Sequence, residues 1–192
     1  MSAIAALRSA TWPEHQRLEK RLDVKARFSE TCGYRSHLEK MYGFCAAIEF
    51  ELGQDPFGAA LGDYEKRRKL PLLTRDLIAL GAESATVTRL PRCGTIPRCP
   101  DPAAAFGCVY VLEGATLGGR TLLPLVQSRL GLNAANGAGF LASYGEDVTS
   151  MWREFGSSLD AWCGPPERRL RAAAAAVATF ASLADWLCGP GA

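Results

Sequence analysis

The sequence predicts an all-α, single-domain fold over residues 1–192. Three observations carry this. Apolar residues recur at three- and four-residue steps in several long stretches, the period of a helix with one buried face. No stretch alternates apolar and polar residues as a half-buried strand does. No segment repeats at a fixed period, which sets aside solenoids. A chain of 192 residues is long enough to bury a core without disulfides or structural metals.

The first segment offers two helical readings. Thr11-Trp12-Pro13-Glu14 forms a capping box, with Thr11 as cap, Glu14 reaching back and Pro13 in the first turn. Alternatively one longer helix starts near Ser2 and bends at Pro13. His15, Leu18 and Leu22 follow at helical spacing, and Glu19 stands four residues after His15, within reach of its ring. Metal-bound imidazoles commonly donate their other N–H to such a carboxylate, although a plain surface pair has the same spacing. A second helix spans Gly33 to Leu52, with Tyr34, Leu38, Met41, Cys45, Ile48 and Leu52 on its apolar face. His37, one position off that stripe, is expected to be exposed, and Gly53 to Phe57 reads as a stop.

The run Tyr64-Glu65-Lys66-Arg67-Arg68-Lys69 is the densest charge cluster and reads as a solvated helix start or loop. A third helix follows from Leu72 to Leu80, closed by Gly81. Ala82 to Pro102 carries several prolines and reads as an extended loop. From about Pro102 to Leu130 the pattern is helical again, yet Gly114, Gly118 and Gly119 lie inside it. Each glycine in a helix interior costs about 1 kcal/mol relative to Ala. Gly114 and Gly118 share a face, with Gly119 beside them. Such a bare strip serves either tight helix packing or the close approach of something flat. After a turn at Asn133 to Gly139, a fifth helix runs from Gly139 to near Gly164-Pro165-Pro166. The last helix, from about Glu167 to Cys188, points Phe180, Leu183, Trp186 and Leu187 inward.

Composition narrows the partners. A net charge of +2 gives no electrostatic case for nucleic acid or an anionic membrane. The opening residues lack the basic-then-apolar layout of a signal peptide, and no 18 consecutive apolar residues occur, so no membrane span is expected. Seven scattered cysteines without that layout point to reduced thiols and a cytoplasmic location. Cys93 and Cys99, in the Pro-rich loop, have no His or second pair to complete a zinc site.

The ordered set of motifs resembles the heme oxygenases, most closely the bacterial biliverdin-producing branch associated with bacteriophytochromes. Leu7-Arg8-Ser9-Ala10-Thr11, His15-Gln16-Arg17-Leu18-Glu19 and the Glu113-Gly114…Gly118-Gly119 helix carry the resemblance. Gly33-Tyr34-Arg35, Asp76-Leu77, Trp152, Phe155, Leu159 and the Phe180 region agree with it in order. The resemblance implies a helical bundle of about six to eight helices, with heme between the first, proximal helix and the glycine-rich, distal one. It implies His15 as the iron ligand, Glu19 as its hydrogen-bond partner and Gly114, Gly118 and Gly119 as the distal wall. Arg8 would anchor a propionate, and Tyr110, Ala115 and Phe180 would line the heme.

The implied reaction uses heme as substrate and cofactor together with O2 and electrons, and it yields biliverdin, CO and ferrous iron. No flavin or nicotinamide fingerprint is present, so a ferredoxin or reductase, or ascorbate in vitro, would supply the electrons. A phytochrome is the implied bilin recipient. Some positions depart from the family pattern. Ala115 stands where animal relatives carry Asp, and Pro124, Leu125, Val177 and Ala178 stand where basic residues often hold propionates. These departures keep a non-catalytic heme- or bilin-binding delivery protein as the alternative. A helical interaction protein with an inert His15, a di-iron oxidase and a thiamin-processing enzyme using Cys108 fit less well. The chain has only two histidines, and Cys108 has no matching pattern around it.

Overall fold

A computed structural model describes residues 2–53 and 60–189. The helices are α1 (Ala3–Arg21), α2 (Val24–Arg27), α3 (Thr31–Leu52), α4 (Tyr64–Arg67), α5 (Leu70–Ala79), α6 (Ser84–Val87), α7 (Pro102–Leu130), α8 (Gly139–Ala142), α9 (Val148–Trp162) and α10 (Pro166–Cys188). A 3-10 turn, Gly145–Asp147, joins α8 to α9. Six of these helices have ten or more residues, and no strand occurs among the described residues, so the all-α expectation holds. The segment Gln54 to Phe57 of the expected stop lies outside the described residues.

Of the two readings of the first segment, the long helix is correct. Ser2 caps it by accepting the Ala5 N–H, and Pro13 lies inside. Thr11 is not a cap. Its hydroxyl donates to the Leu7 carbonyl at 2.8 Å, the back-bond that a mid-helix Thr makes when buried. The α7 bounds match the sequence expectation because both ends are local signals. Asp101 accepts the Ala104 N–H at 3.0 Å, Pro102 takes the first turn, and Gly131 closes the helix at φ 67°.

α10 is the central packing partner, meeting α7 along one face and α1 along another. Small residues permit the α7 contact. A Cβ on Gly107 would overlap the Ala172 carbonyl, and Ala175 and Ala176 complete the seam. α10 is also long and apolar enough to cross a membrane, but 50% of that span is buried inside the protein, which places it as a core helix. One contiguous apolar cluster, with Leu7, Phe28, Tyr34, Phe44, Phe106, Phe155 and Leu159 fully covered, runs through all six long helices.

Several expectations are corrected. α5 begins at Leu70 rather than Leu72, because a carboxylate from another helix caps it: Glu49 on α3 accepts the Lys69 N–H at 2.6 Å and the Leu70 N–H at 3.0 Å. The loop after α5 contains the single turn α6. The helix expected from Gly139 to Gly164 is broken after Ala142. Ser143 takes φ 45°, ψ −113° and Gly145 takes φ 59°, neither of which a helix permits. Asp76 on α5 fixes the start of this broken element, accepting the Gly139 and Phe140 N–H groups at 2.8 and 2.6 Å.

His37 is buried at 5% exposure, against the expectation of an exposed ring. α3 is covered on nearly every side from Met41 to Glu49, so its apolar stripe did not mark its only buried face. The basic run is corrected too. Arg67 and Lys69 are 2% and 1% exposed, respectively, and face the glycine helix.

Candidate functional site

The site grows from the face of α1 that carries Thr11 and His15, one turn apart. Thr11 meets α7 at Tyr110. Burial raises the Tyr110 phenol above its ordinary range, while the Thr11 hydrogen bond and the Arg8 charge pull it down. Tyr110 also packs on Trp152 of α9 at 5.6 Å between ring centroids. Gly114 stands one turn beyond Tyr110, as His15 stands one turn beyond Thr11.

The His15 ring is boxed on two sides and otherwise open. Trp12 stacks on it at 5.7 Å with an 8° interplanar angle, and Phe180 of α10 meets it edge-on at 5.9 Å. Its side chain is 45% exposed. Nδ1 lies 3.5 Å from Glu19 Oε2, which leaves Nε2 as the nitrogen available to a metal. Arg8, one turn before Thr11, is exposed.

The three glycines of α7 separate into two roles. A Cβ on Gly114 or Gly118 would meet nothing within 4 Å. The helix backbone there is uncovered, and packing gives no reason for glycine. Gly119 is different. A Cβ there would sit 2.8 Å from the Leu141 carbonyl, so this glycine allows α8 to lie against α7. Packing alone therefore accounts for a glycine at this position. Ala115 is half-buried between the two open positions. Pro124 and Ala178 are exposed, and Leu125 and Val177 are half-buried.

The sequence reading missed an ionic cluster directly before Gly114. Glu113, 2% exposed, accepts from Arg67 Nη1 at 2.9 Å, Lys69 Nζ at 2.8 Å and the Tyr144 hydroxyl at 2.8 Å. Asp63 takes two further bonds from Arg67, at 2.8 and 2.6 Å, and Arg67 also reaches the Met151 carbonyl. Burial lowers the Lys69 ammonium from its usual range, against the pull of Glu113. For Arg67 burial is outweighed by Asp63 and Glu113, so the guanidinium is held more firmly charged. Burial, with the Glu113 charge beside it, pushes the Tyr144 phenol up and keeps it a donor. The strained Ser143 turn brings Tyr144 to Glu113. The sequence signal was a lone Glu in the apolar run Val109-Tyr110-Val111-Leu112-Glu113, which must find cations once buried.

Among the described residues, no cluster of three or more His, Cys, Asp or Glu is placed to hold a metal, as a di-iron carboxylate site needs. The candidate elements are instead the single imidazole of His15 beside Trp12 and Phe180, and the uncovered helix backbone at Gly114 and Gly118. The heme oxygenase family model matches residues 1–188, nearly the whole chain. The chain belongs to the heme oxygenase family.

Similarity to individual members is distant. A heme oxygenase of Xanthomonas campestris pv. campestris (strain 8004) is 29% identical over 149 residues, covering 77% of this chain and 84% of that protein. The NO- and CO-bound heme oxygenase from Neisseria meningitidis superposes with a TM-score of 0.82 at 23% identity, covering 100% of this chain and 94% of that one. Heme oxygenase 2 from Chlamydomonas reinhardtii without heme gives 0.81 at 18% identity, covering 97% and 96%, respectively. At these identities the solved structures establish the shared fold.

Proposed function

We propose that this member of the heme oxygenase family cleaves heme with O2 and externally supplied electrons, giving biliverdin, CO and ferrous iron. The observation that carries the reading is the open imidazole of His15 between Trp12 and Phe180, in a chain whose glycine helix leaves Gly114 and Gly118 uncovered. Bound heme would supply the iron that takes O2 and the meso carbons that are oxidised.

The protein's part follows from its residues. His15 Nε2 would hold the iron, with Glu19 beside Nδ1 to orient the ring. Trp12 and Phe180 hold the imidazole plane. Arg8 would pair with a propionate, and Tyr110 and Ala115 would line the macrocycle. At Gly114 and Gly118 the bare backbone gives a small ligand and ordered water a polar, uncrowded wall, with no acidic side chain at Ala115 to direct protons. Gly119 and the Glu113 cluster hold that wall in place. Electrons come from a ferredoxin or reductase. Its resemblance to the bacteriophytochrome-associated branch supports a phytochrome as bilin recipient, and its cysteine usage supports a cytoplasmic location.

A second reading, a heme- or bilin-delivery protein without turnover, is favoured by one observation. Pro124, Leu125, Val177 and Ala178 put no cation where propionates are often held. Titration with hemin followed by ascorbate under air separates the two. A Soret band that decays into the broad red absorption of biliverdin supports the enzyme. A Soret band stable to reductant and O2 leaves the delivery reading, and failure to bind hemin overturns both.

A further inference from the structure

Seven cysteines are present, and two of them meet. Cys99 Sγ and Cys108 Sγ are 3.2 Å apart, about 1.2 Å beyond a disulfide bond length. Cys108 is fully covered on α7. Cys99 lies in the loop between α6 and α7 and is the outer of the two at 5% exposure. Its backbone N–H donates to Glu51 Oε1 at 3.0 Å, and Arg98 holds the other Glu51 oxygen at 3.1 Å, so the loop is moored to α3 with its sulfur already aimed inward. Behind Cys108 stands the Thr179 hydroxyl of α10, 3.4 Å from the sulfur.

The other buried thiols differ. Cys93 faces the hydroxyls of Thr95 and Ser182 at 3.7 and 3.6 Å. Burial pushes Cys163 up to about 11 and Cys45 higher still, which keeps both as inert thiols. Cys108 moves the opposite way, because the Cys99 S–H and the Thr179 hydroxyl favour its thiolate more than burial opposes it.

We propose that Cys99 and Cys108 are a reversible oxidation site, closing to an intramolecular disulfide when the protein meets a peroxide. In the first step the Cys99 sulfur takes one peroxide oxygen. The O–O bond breaks, the other oxygen leaves as water with the thiol proton, and Cys99 becomes a sulfenic acid. In the second step Cys108 attacks that sulfur. The S–S bond forms, the S–O bond breaks, and hydroxide leaves as water with the Cys108 proton. Two thiols are oxidised by two electrons and one peroxide is reduced to two waters. A dithiol reductant reverses the closure by exchange. The site does not depend on heme. The linked residues are nine positions apart, so the bond restrains a short loop of the unfolded chain and the oxidised protein unfolds at a higher temperature.

The test uses the full chain and hydrogen peroxide. After brief exposure the protein is denatured, alkylated and weighed intact, then digested without reduction. The expected result is five alkylated thiols of the seven, restored to seven by dithiothreitol, with one linked peptide joining Cys99 to Cys108. Cys99→Ser should keep all six of its remaining thiols, whereas Cys108→Ser should stop at a Cys99 sulfenic acid that forms no linked peptide and that dithiothreitol returns to the thiol. Seven alkylable thiols after peroxide, a linked peptide through other cysteines, or irreversible oxygen gain without a linkage would overturn the proposal. The peptide map on the unaltered chain decides the matter even if a serine variant fails to fold.

Discussion

Glu113 and Lys69 form an ion pair of 2.8 Å in which the carboxylate is 2% exposed and the ammonium 1%. It lies in the turn immediately before the first open glycine of α7. Arg67 and Tyr144 complete the carboxylate's set of donors, so the start of the bare strip is tied to α4 and to the turn after α8. Removing one member of a buried ion pair leaves the other charge unmatched, typically at a cost of about 3–5 kcal/mol. Glu113→Gln is expected to fall in that range by urea denaturation near neutral pH. Arg67 retains Asp63, whereas Lys69 is left with the neutral Tyr144 hydroxyl, so Lys69 carries the larger share of the loss. A change below about 1 kcal/mol would place the pair among ordinary surface bridges.

The glycines give a contrast within one helix. Gly118→Ala adds a Cβ into open space and recovers helix propensity, so it should stabilise by about 1 kcal/mol. Gly119→Ala drives a Cβ against the Leu141 carbonyl and should destabilise by about 1–3 kcal/mol. Equal midpoints for the two variants would refute the division into an open and a packed glycine. On the enzyme reading Gly118→Leu fills the wall beside the heme, and CO binding should weaken while the fold persists.

His15→Ala removes the iron ligand from a half-exposed position. Its folding cost should lie within about 0.5 kcal/mol, as for other exposed sites. Biliverdin formation should be lost, and the spectrum of the hemin complex should no longer show imidazole ligation. Full turnover in this variant would remove His15 from the role of proximal ligand.

His37 sets a pH dependence. Burial, with Arg27 as a like charge nearby, pushes its pKa from 6.5 down to about 4, and Phe28 closes over the ring at 5.1 Å. The unfolded chain therefore binds this proton at a higher pH than the folded one does. The stabilisation is complete above about pH 6.5 and is lost as pH falls from there toward 4, amounting to about 3 kcal/mol in all. Chemical denaturation between pH 7 and 4 should show that loss, and His37→Leu should flatten it. An unchanged slope in the variant would assign the acid sensitivity elsewhere.

Much of this protein was determined by short-range pattern. Helical periodicity and the absence of alternation established an all-α chain, because both depend only on near neighbours. The α7 bounds could be read from Asp101, Pro102 and Gly131, whose effects are local. The spacing of His15 and Glu19 placed both on one helix face before any packing was known. Tertiary structure decided what neighbours across the fold control. Charge density alone made Arg67 and Lys69 look solvated, yet their shared carboxylate lies on a helix 46 and 44 positions away, respectively. The phase of one apolar stripe could not bury His37, because α3 is enclosed by several elements at once. Nor could it divide Gly114 and Gly118 from Gly119, since only the approach of Leu141 separates a bare wall from a packing contact. Local geometry is encoded in consecutive residues, whereas burial and ion pairing depend on which distant surfaces the closed chain brings together.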